Sequence, residues 1–279
     1  MDLRPLTAED LPRAAALSAL IGWNQLPADW AAFLGGGQVR GLDDGHPECL
    51  AATVATIGYG PGLAWIGMVL VRPDLRRQGL ATRLMGWAMD SLQGAGLASL
   101  ALAATPAGRP VYARLGFRDA GGFARWLLPA PLPTEAGVAV RPLREEDWPA
   151  VLALDLAGFG APREALLRGF AGRLPAAAWV AEAGGRIRGA ILGRDGLRHP
   201  GLGPLWASDA ATARALLAAA RHALPEAAVL DLGDHVPGLG DWLAAQGALQ
   251  QRPFTRMVLG ADLPGAAAVY QAASGPEFG

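Results

Sequence analysis

Lysine is missing from this chain of 279 residues, whose 24 basic side chains are all arginine. A pyridoxal-phosphate Schiff base and the lysine of a Walker-type phosphate loop are excluded together. Cysteine is nearly missing too: Cys49 is the single one, which rules out an intrachain disulfide, a Cys-x-x-Cys redox pair and a thiolate-rich zinc site. No metal is expected. Neither sign of charge is in excess, because 24 basic residues face 25 acidic ones and the formal charge is −1. There is then no basic face for nucleic acid or for an anionic bilayer, and neither is expected as a partner. Long apolar runs are lacking as well. Ala64 to Val71 falls far short of the ~18 residues of a membrane span, and Asp2, Arg4, Glu9 and Asp10 stand where a signal peptide would be apolar. A reducing cytoplasm is the expected location. What is abundant is Ala, Gly, Pro and Arg, a bias typical of GC-rich bacterial genomes. Hydrophobic residues make up 52% against 18% charged, enough for one large or two ordinary domains and too apolar for a disordered chain.

The chain repeats itself. Arg4-Pro5-Leu6, Glu9-Asp10, Pro12 and Leu17 recur at one offset as Arg141-Pro142-Leu143, Glu146-Asp147, Pro149 and Leu154. Towards the other end Gly116, Phe123, Arg125 and Leu128 recur as Gly247, Phe254, Arg256 and Leu259. Two copies of one ancestral fold are implied, spanning residues 1–130 and 137–279. The proline-rich stretch from Leu128 to Pro133 is read as an extended connector.

Within the first copy, Leu3 to Leu6 reads as a strand. Thr7 offers a helix N-cap, followed by Glu9 and Asp10 in the first turn. A second helix is expected around Leu26 to Leu34, stopped by Gly35-Gly36-Gly37. Strands follow over Gln38–Leu42, Cys49–Tyr59 and Ala64–Val71. From Gly79 the period becomes helical, with Leu80, Leu84, Ala88 and Leu92 on one face. Then come a strand at Leu97–Ala103, a helix at Ala107–Arg114 and a strand at Phe123–Leu128. The order β-α-α-β-β-β-α-β-α-β predicts an α+β domain with a mixed, mostly antiparallel sheet flanked by helices.

The segment from Trp65 to Thr82 carries the chemistry. An apolar strand runs through a turn into a helix whose start holds Gly79 and Ala81. Small residues there leave backbone amides uncovered at the positive end of the helix dipole, a cradle for a pyrophosphate that needs no lysine. Arg76, Arg77 and the Thr82 hydroxyl can add hydrogen bonds to the same phosphates.

Arg76-Arg77-Gln78-Gly79-Leu80-Ala81, with its strand and helix, and Val111-Tyr112-Ala113-Arg114-Leu115-Gly116-Phe117 resemble the signature elements of the GCN5-related N-acetyltransferases (GNAT). The resemblance implies acetyl-CoA as co-substrate. Its pyrophosphate would be held by Arg76, Arg77, Gln78, Gly79, Leu80, Ala81 and Thr82, and its pantetheine arm would pair with Met68, Val69, Leu70 and Val71. Tyr112 would protonate the departing thiolate. Thr105 stands where the family often has asparagine, and its hydroxyl replaces part of that hydrogen bonding. Trp23, Asn24, Asp29 and Trp30 lie where the family's first two helices form the acceptor wall. The strand Ala64–Val71 offers no carboxylate as general base, so Glu48, His46 and Asp29 are the nearest candidates.

In the second copy, Gly201 to Asp209 aligns with this strand and loop, but no Gly/Arg cradle precedes the expected helix Ala210–Ala220. Asp209 would oppose a phosphate, and Leu243 replaces Tyr112. The whole resembles a tandem acetyltransferase with an active N-terminal and a degenerate C-terminal half. Ser274 to Gly279 is expected to fray, and Asp231, Asp234 and His235 are read as a polar loop rather than a metal site. The implied function is direct acetyl transfer, in a ternary complex, to an amine of a small molecule or peptide, with the alternative of a non-catalytic acyl-CoA-binding sensor. A homodimer is kept open as the assembly. The two halves are expected to pack through an apolar interface, with the acceptor pocket at their junction.

Overall fold

The computed structural model describes every residue except Ala95 and Ala267, and Pro237 without its side chain. In the first copy the elements follow the expected order: β1 (Leu3–Pro5), α1 (Leu11–Leu20), α2 (Pro27–Gly36), β2 (Gly37–Leu42), β3 (Ala52–Tyr59), β4 (Leu63–Val71), α3 (Leu80–Gln93), β5 (Ser99–Ala104), α4 (Arg109–Arg114) and β6 (Arg118–Leu128). The second copy repeats it as β7 (Ala139–Pro142), α5 (Trp148–Phe159), α6 (Glu164–Arg173), β8 (Trp179–Ala183), β9 (Arg186–Arg194), β10 (Gly201–Ala207), α7 (Ala210–His222), β11 (Ala228–Gly233), α8 (Pro237–Ala245) and β12 (Leu249–Gly260). Among the described residues, one strand has no counterpart in the first copy, β13 (Tyr270–Ala273).

The sequence periodicities carry through to packing. On α3 the buried residues are Leu84, Met85, Ala88 and Leu92, a single stripe laid on β3 and β4. β4 is buried along nearly its whole length, as befits a central strand covered on both faces. Among the described residues no helix is long and apolar enough to cross a membrane.

All strands join one sheet, in the order β1-β2-β3-β4-β5-β12-β6-β11-β13-β10-β9-β8-β7. The two copies have exchanged the last strands they have in common, β6 and β12. β12, from the second copy, pairs with β5 of the first, while β6 of the first pairs with β11 of the second. β6 and β12 pair antiparallel with each other at the centre, and there Phe123 stands opposite Phe254 with the rings stacked at 5.1 Å. These two phenylalanines are equivalent in the repeat. A pseudo-twofold axis therefore passes between them, and the strand order reads the same from either edge apart from β13.

The halves also share a core. Leu17, Trp30, Phe33, Tyr59 and Trp65 from the first copy pack in one cluster with Val151, Phe159, Phe170, Trp206 and Phe278 from the second. The segment Ser274–Gly279, expected to fray, is buried within that cluster, with Glu277 and Phe278 almost wholly covered. Composition misleads here because the ordering contacts come from residues far away in sequence: Phe33 and Phe170 hold the Phe278 ring.

Because β6 and β12 belong to both halves, unfolding is expected to be a single cooperative transition. Phe254→Ala removes a buried ring at the axis and should cost about 3–5 kcal/mol. Urea titration followed by tryptophan fluorescence and by far-ultraviolet dichroism should show one coincident midpoint, lowered in the variant. Two separated transitions would contradict the shared centre.

Candidate active site

The site is built where β4 and β5 part. These parallel strands pair only at Leu63–Ser99, Ala64–Leu100 and Trp65–Ala101, and from Ile66 onward they diverge. Divergence coincides with a bulge: the register of β4 against β3 shifts between Thr53 and Ala55. Met68 there takes a left-handed φ of 54° and its carbonyl accepts the Thr53 hydroxyl at 2.9 Å. A non-glycine residue in that region is strained, and such strain is characteristic of sites. The fork so formed holds a cavity of about 50 Å³. Ile66, Gly67, Met68, Val69, Leu102, Ala103, Thr105 and Tyr112 line it on the sheet side, and Trp23, Pro276 and Glu277 line it opposite.

Tyr112 reaches the fork from α4, a short helix started by Pro110 and closed at Gly116, whose φ is 92°. Its ring meets Phe117 edge to face at 6.4 Å, and the Gly108 backbone lies so close that a Cβ there would sit 3.0 Å from Tyr112 Cε2. Burial pushes the phenol up to about 12, so the hydroxyl keeps its proton throughout the neutral range. Thr105 Oγ1 accepts the Gly108 N–H at 3.2 Å and thereby fixes the turn into α4.

At the open end of the fork stands the start of α3. Gly79 is its N-cap with φ 76°, a conformation that favours glycine, and a Cβ there would meet nothing within 4 Å. The first bond of the helix runs from Arg83 N–H to Gly79 O at 3.1 Å. Among the described residues, no carbonyl takes the amides of Leu80, Ala81 and Thr82, which are the unspent donors of a helix start. Arg77 is left-handed too (φ 64°), and Arg76, Arg77, Gln78 and Thr82 are exposed around the cradle. Arg76 Nε bonds the Val71 carbonyl at 3.3 Å, while Arg72 is tied to Asp44 and Asp74 and braces the loop. The cradle and the cavity are joined by Met68 to Val71.

The residues read as the acceptor wall divide. Trp23 lines the cavity, whereas Asn24 takes the amides of Arg198 (2.8 Å) and His199 (3.2 Å) and so ties the first copy to the β9–β10 loop. Asp29 is fully buried and binds Arg173 and Arg194 of the second copy, besides accepting the Leu26 amide at 2.8 Å. Trp30 lies in the core and donates to Ser18 Oγ at 3.2 Å. His46 and Glu48 sit together in the loop after β2, His46 accepting the Glu48 amide, and do not line the cavity. Sequence reasoning missed Pro276 and Glu277. The Glu277 carboxylate is bound to Arg194, and the Pro276 carbonyl accepts Trp65 Nε1–H at 3.0 Å.

The second copy has the same fork, but occupied. β10 and β11 pair in parallel only at Gly201–Val229 and Leu202–Leu230, then diverge. Into the gap the chain inserts its own β13, antiparallel to both neighbours, with Leu205 opposite Ala272 and Asp231 opposite Ala273. The helix start beside it is taken too, since Asp209 accepts the Thr212 amide at 2.8 Å and lies well below the usual carboxylate range through that bond. Leu243, the counterpart of Tyr112, is core. Of the Asp231, Asp234 and His235 group, Asp231 is spent on a bidentate pair with Arg125 (2.9 and 2.7 Å) and His235 Nε2 lies 2.8 Å from the Tyr270 carbonyl.

Two family models match the chain: residues 17–117 an acetyltransferase (GNAT) family and residues 151–269 an acetyltransferase (GNAT) domain. An uncharacterized N-acetyltransferase of Bacillus subtilis, YitH, is 30% identical over 108 residues, which is 38% of this chain and 38% of that relative. The chain thus matches well under half the length of this curated relative. Among solved structures, one from Pyrococcus horikoshii superposes with a TM-score of 0.79 at 18% identity, covering 100% of this chain and 95% of its own. A tandem GNAT protein from the clavulanic acid biosynthesis pathway gives 0.67 at 15%, covering 93% and 98%. These likenesses at low identity speak for the fold. With both halves matched by GNAT models, the chain belongs to the GNAT acetyltransferase family as a tandem member.

Proposed function

We propose that this protein transfers an acetyl group from acetyl-CoA to an amine, directly and within a ternary complex, at the fork of the N-terminal copy. The observation that carries this reading is the continuity of three parts: unspent amides at the start of α3, the unpaired edges of β4 and β5, and a cavity holding Tyr112. A pyrophosphate fits the first through charge and hydrogen bonds. A pantetheine arm, whose amides alternate donor and acceptor, fits the second as a strand would. The thioester then comes to rest in the third.

The bulge at Met68 interrupts the ladder beside the cavity, and a backbone N–H released there would hold the thioester carbonyl as charge develops on its oxygen. The amine nitrogen adds to that carbonyl and the carbon–sulfur bond breaks. The Tyr112 hydroxyl gives its proton to the leaving sulfur and recovers one from solvent. A raised pKa suits this role, since the phenol reaches the thiolate always protonated. One oxygen of the Glu277 carboxylate, Oε1, is paired with Arg194, and the other, Oε2, is buried without a partner; the proton lost by the amine passes to water. The acceptor is a small-molecule or peptide amine.

Tyr112→Phe should lower kcat by roughly 10²- to 10⁴-fold while leaving the acetyl-CoA Kd nearly unchanged. An unaltered kcat in a thiol-release assay would return Tyr112 to a packing role. Gly79→Asp places a carboxylate at the phosphate position and should abolish acetyl-CoA binding in calorimetry.

The raised phenol also has a pH signature. The unfolded chain ionises Tyr112 near 10 and the folded one only near 12, so this group's contribution to stability is complete below pH 10 and lost as pH rises towards 12. The difference spectrum at 295 nm between the protein and its Tyr112→Phe variant should show no phenolate at pH 10.5. A step near pH 10 would show that the ring is solvated.

A further inference from the structure

The buried segment Ser274–Gly279 crosses from the filled fork of the second copy to the open fork of the first. It leaves β13 and lies against β4, where its backbone is so close to Gly67 that a Cβ there would come within 2.7 Å of the Glu277 carbonyl. Both halves pin it. Trp65 Nε1 bonds the Pro276 carbonyl (3.0 Å) and Tyr59 the Phe278 carbonyl (2.9 Å), while Phe33 stacks on Phe278 at 4.7 Å. From the second copy Arg194 holds the Glu277 carboxylate, Phe170 meets the Phe278 ring, and Arg163 and Tyr270 hold the Gly279 carbonyl. No part of residues 274–279 is more than slightly exposed.

We infer that Pro276 and Glu277 form a fixed end wall that limits the acyl group to two or three carbons, making the second copy the specificity element of the first. This rests on the acyl-transfer reading above. The cavity that Pro276 and Glu277 share with Met68, Thr105 and Tyr112 measures about 50 Å³. At 10–15 Å³ per water that is room for about four waters. An acetyl group fits such a space beside the thioester. A longer chain runs into a wall that cannot retreat, because the Pro276 and Phe278 carbonyls, the Phe278 ring and one Glu277 carboxylate oxygen, Oε1, are each held, while Oε2 is buried without a partner. Close-packed surroundings transmit such a collision instead of absorbing it. Chain-length discrimination here therefore comes from exclusion by a rigid surface supplied from far along the chain, Pro276 lying 211 residues beyond Trp65.

Calorimetric titration of the full chain with CoA and with acetyl-, propionyl-, butanoyl- and hexanoyl-CoA tests this. Acetyl- and propionyl-CoA should bind within a few-fold of each other, and butanoyl- and hexanoyl-CoA at least tenfold more weakly. Pro276→Gly keeps the carbonyl that Trp65 holds and removes the ring. It should narrow the acetyl-to-butanoyl ratio by about fivefold or more, with dichroism confirming the fold. Equal affinities along the series in the unaltered chain, or an unchanged ratio in a folded Pro276→Gly, would overturn the wall while CoA binding upheld the site. Absence of any CoA binding would instead overturn the acyl-transfer reading and the wall with it.

Discussion

Everything in this molecule depends on the antiparallel pairing of β6 with β12 around Phe123 and Phe254. Each of those strands is the last one the two copies have in common, but completes the sheet of the other copy in space. Exchange costs little, because the two strands are equivalent in the repeat and present similar faces to either partner. It gains a continuous sheet without two inner edges, which would otherwise be exposed and prone to pairing. It also sends the chain after β12 back across the junction, so that β13 and residues 274–279 can reach both forks.

The two forks show how one geometry serves opposite ends. In each, parallel strands pair at their start and then part, leaving backbone donors and acceptors to be satisfied by something extended. Between β4 and β5 that need is left open next to free helix-start amides. Between β10 and β11 it is met by β13, and the helix start is met by Asp209. An internal strand gives up no translational freedom, which sets an external ligand at a disadvantage in the second fork. The second copy also braces the first: Arg194 bridges Asp29 and Glu277, two buried carboxylates from opposite ends of the chain.

Much of this was legible in the sequence. The element order of the first copy, the helix from Leu80 and the uncovered amides at Gly79 and Ala81 follow from local rules: period, capping and the need for a small residue where amides face outward. Loss of the second cradle was readable from Asp209 for the same reason. Nearness along the chain served less well for the acceptor wall. Trp23 faces the cavity, but Asn24, one residue on, points to the other copy, and Asp29 and Trp30 are taken up by ion pairs and core. Strand exchange was invisible, since β6 and β12 carry interchangeable patterns and periodicity does not name a partner. The tail was misread because Ser, Gly and Pro mark loose chain unless distant groups hold them, and here Trp65, Phe33 and Arg194 do so.

One shared sheet thus holds one open fork and one that the chain has closed on itself. The most direct measurement is the stoichiometry of acetyl-CoA binding by calorimetry on the full chain, with the bound position then located by soaking a crystal. The account predicts one molecule per chain, lying between β4 and β5 with its pyrophosphate at Gly79 to Thr82. Two equivalent sites, or a ligand between β10 and β11 with β13 displaced, would contradict it.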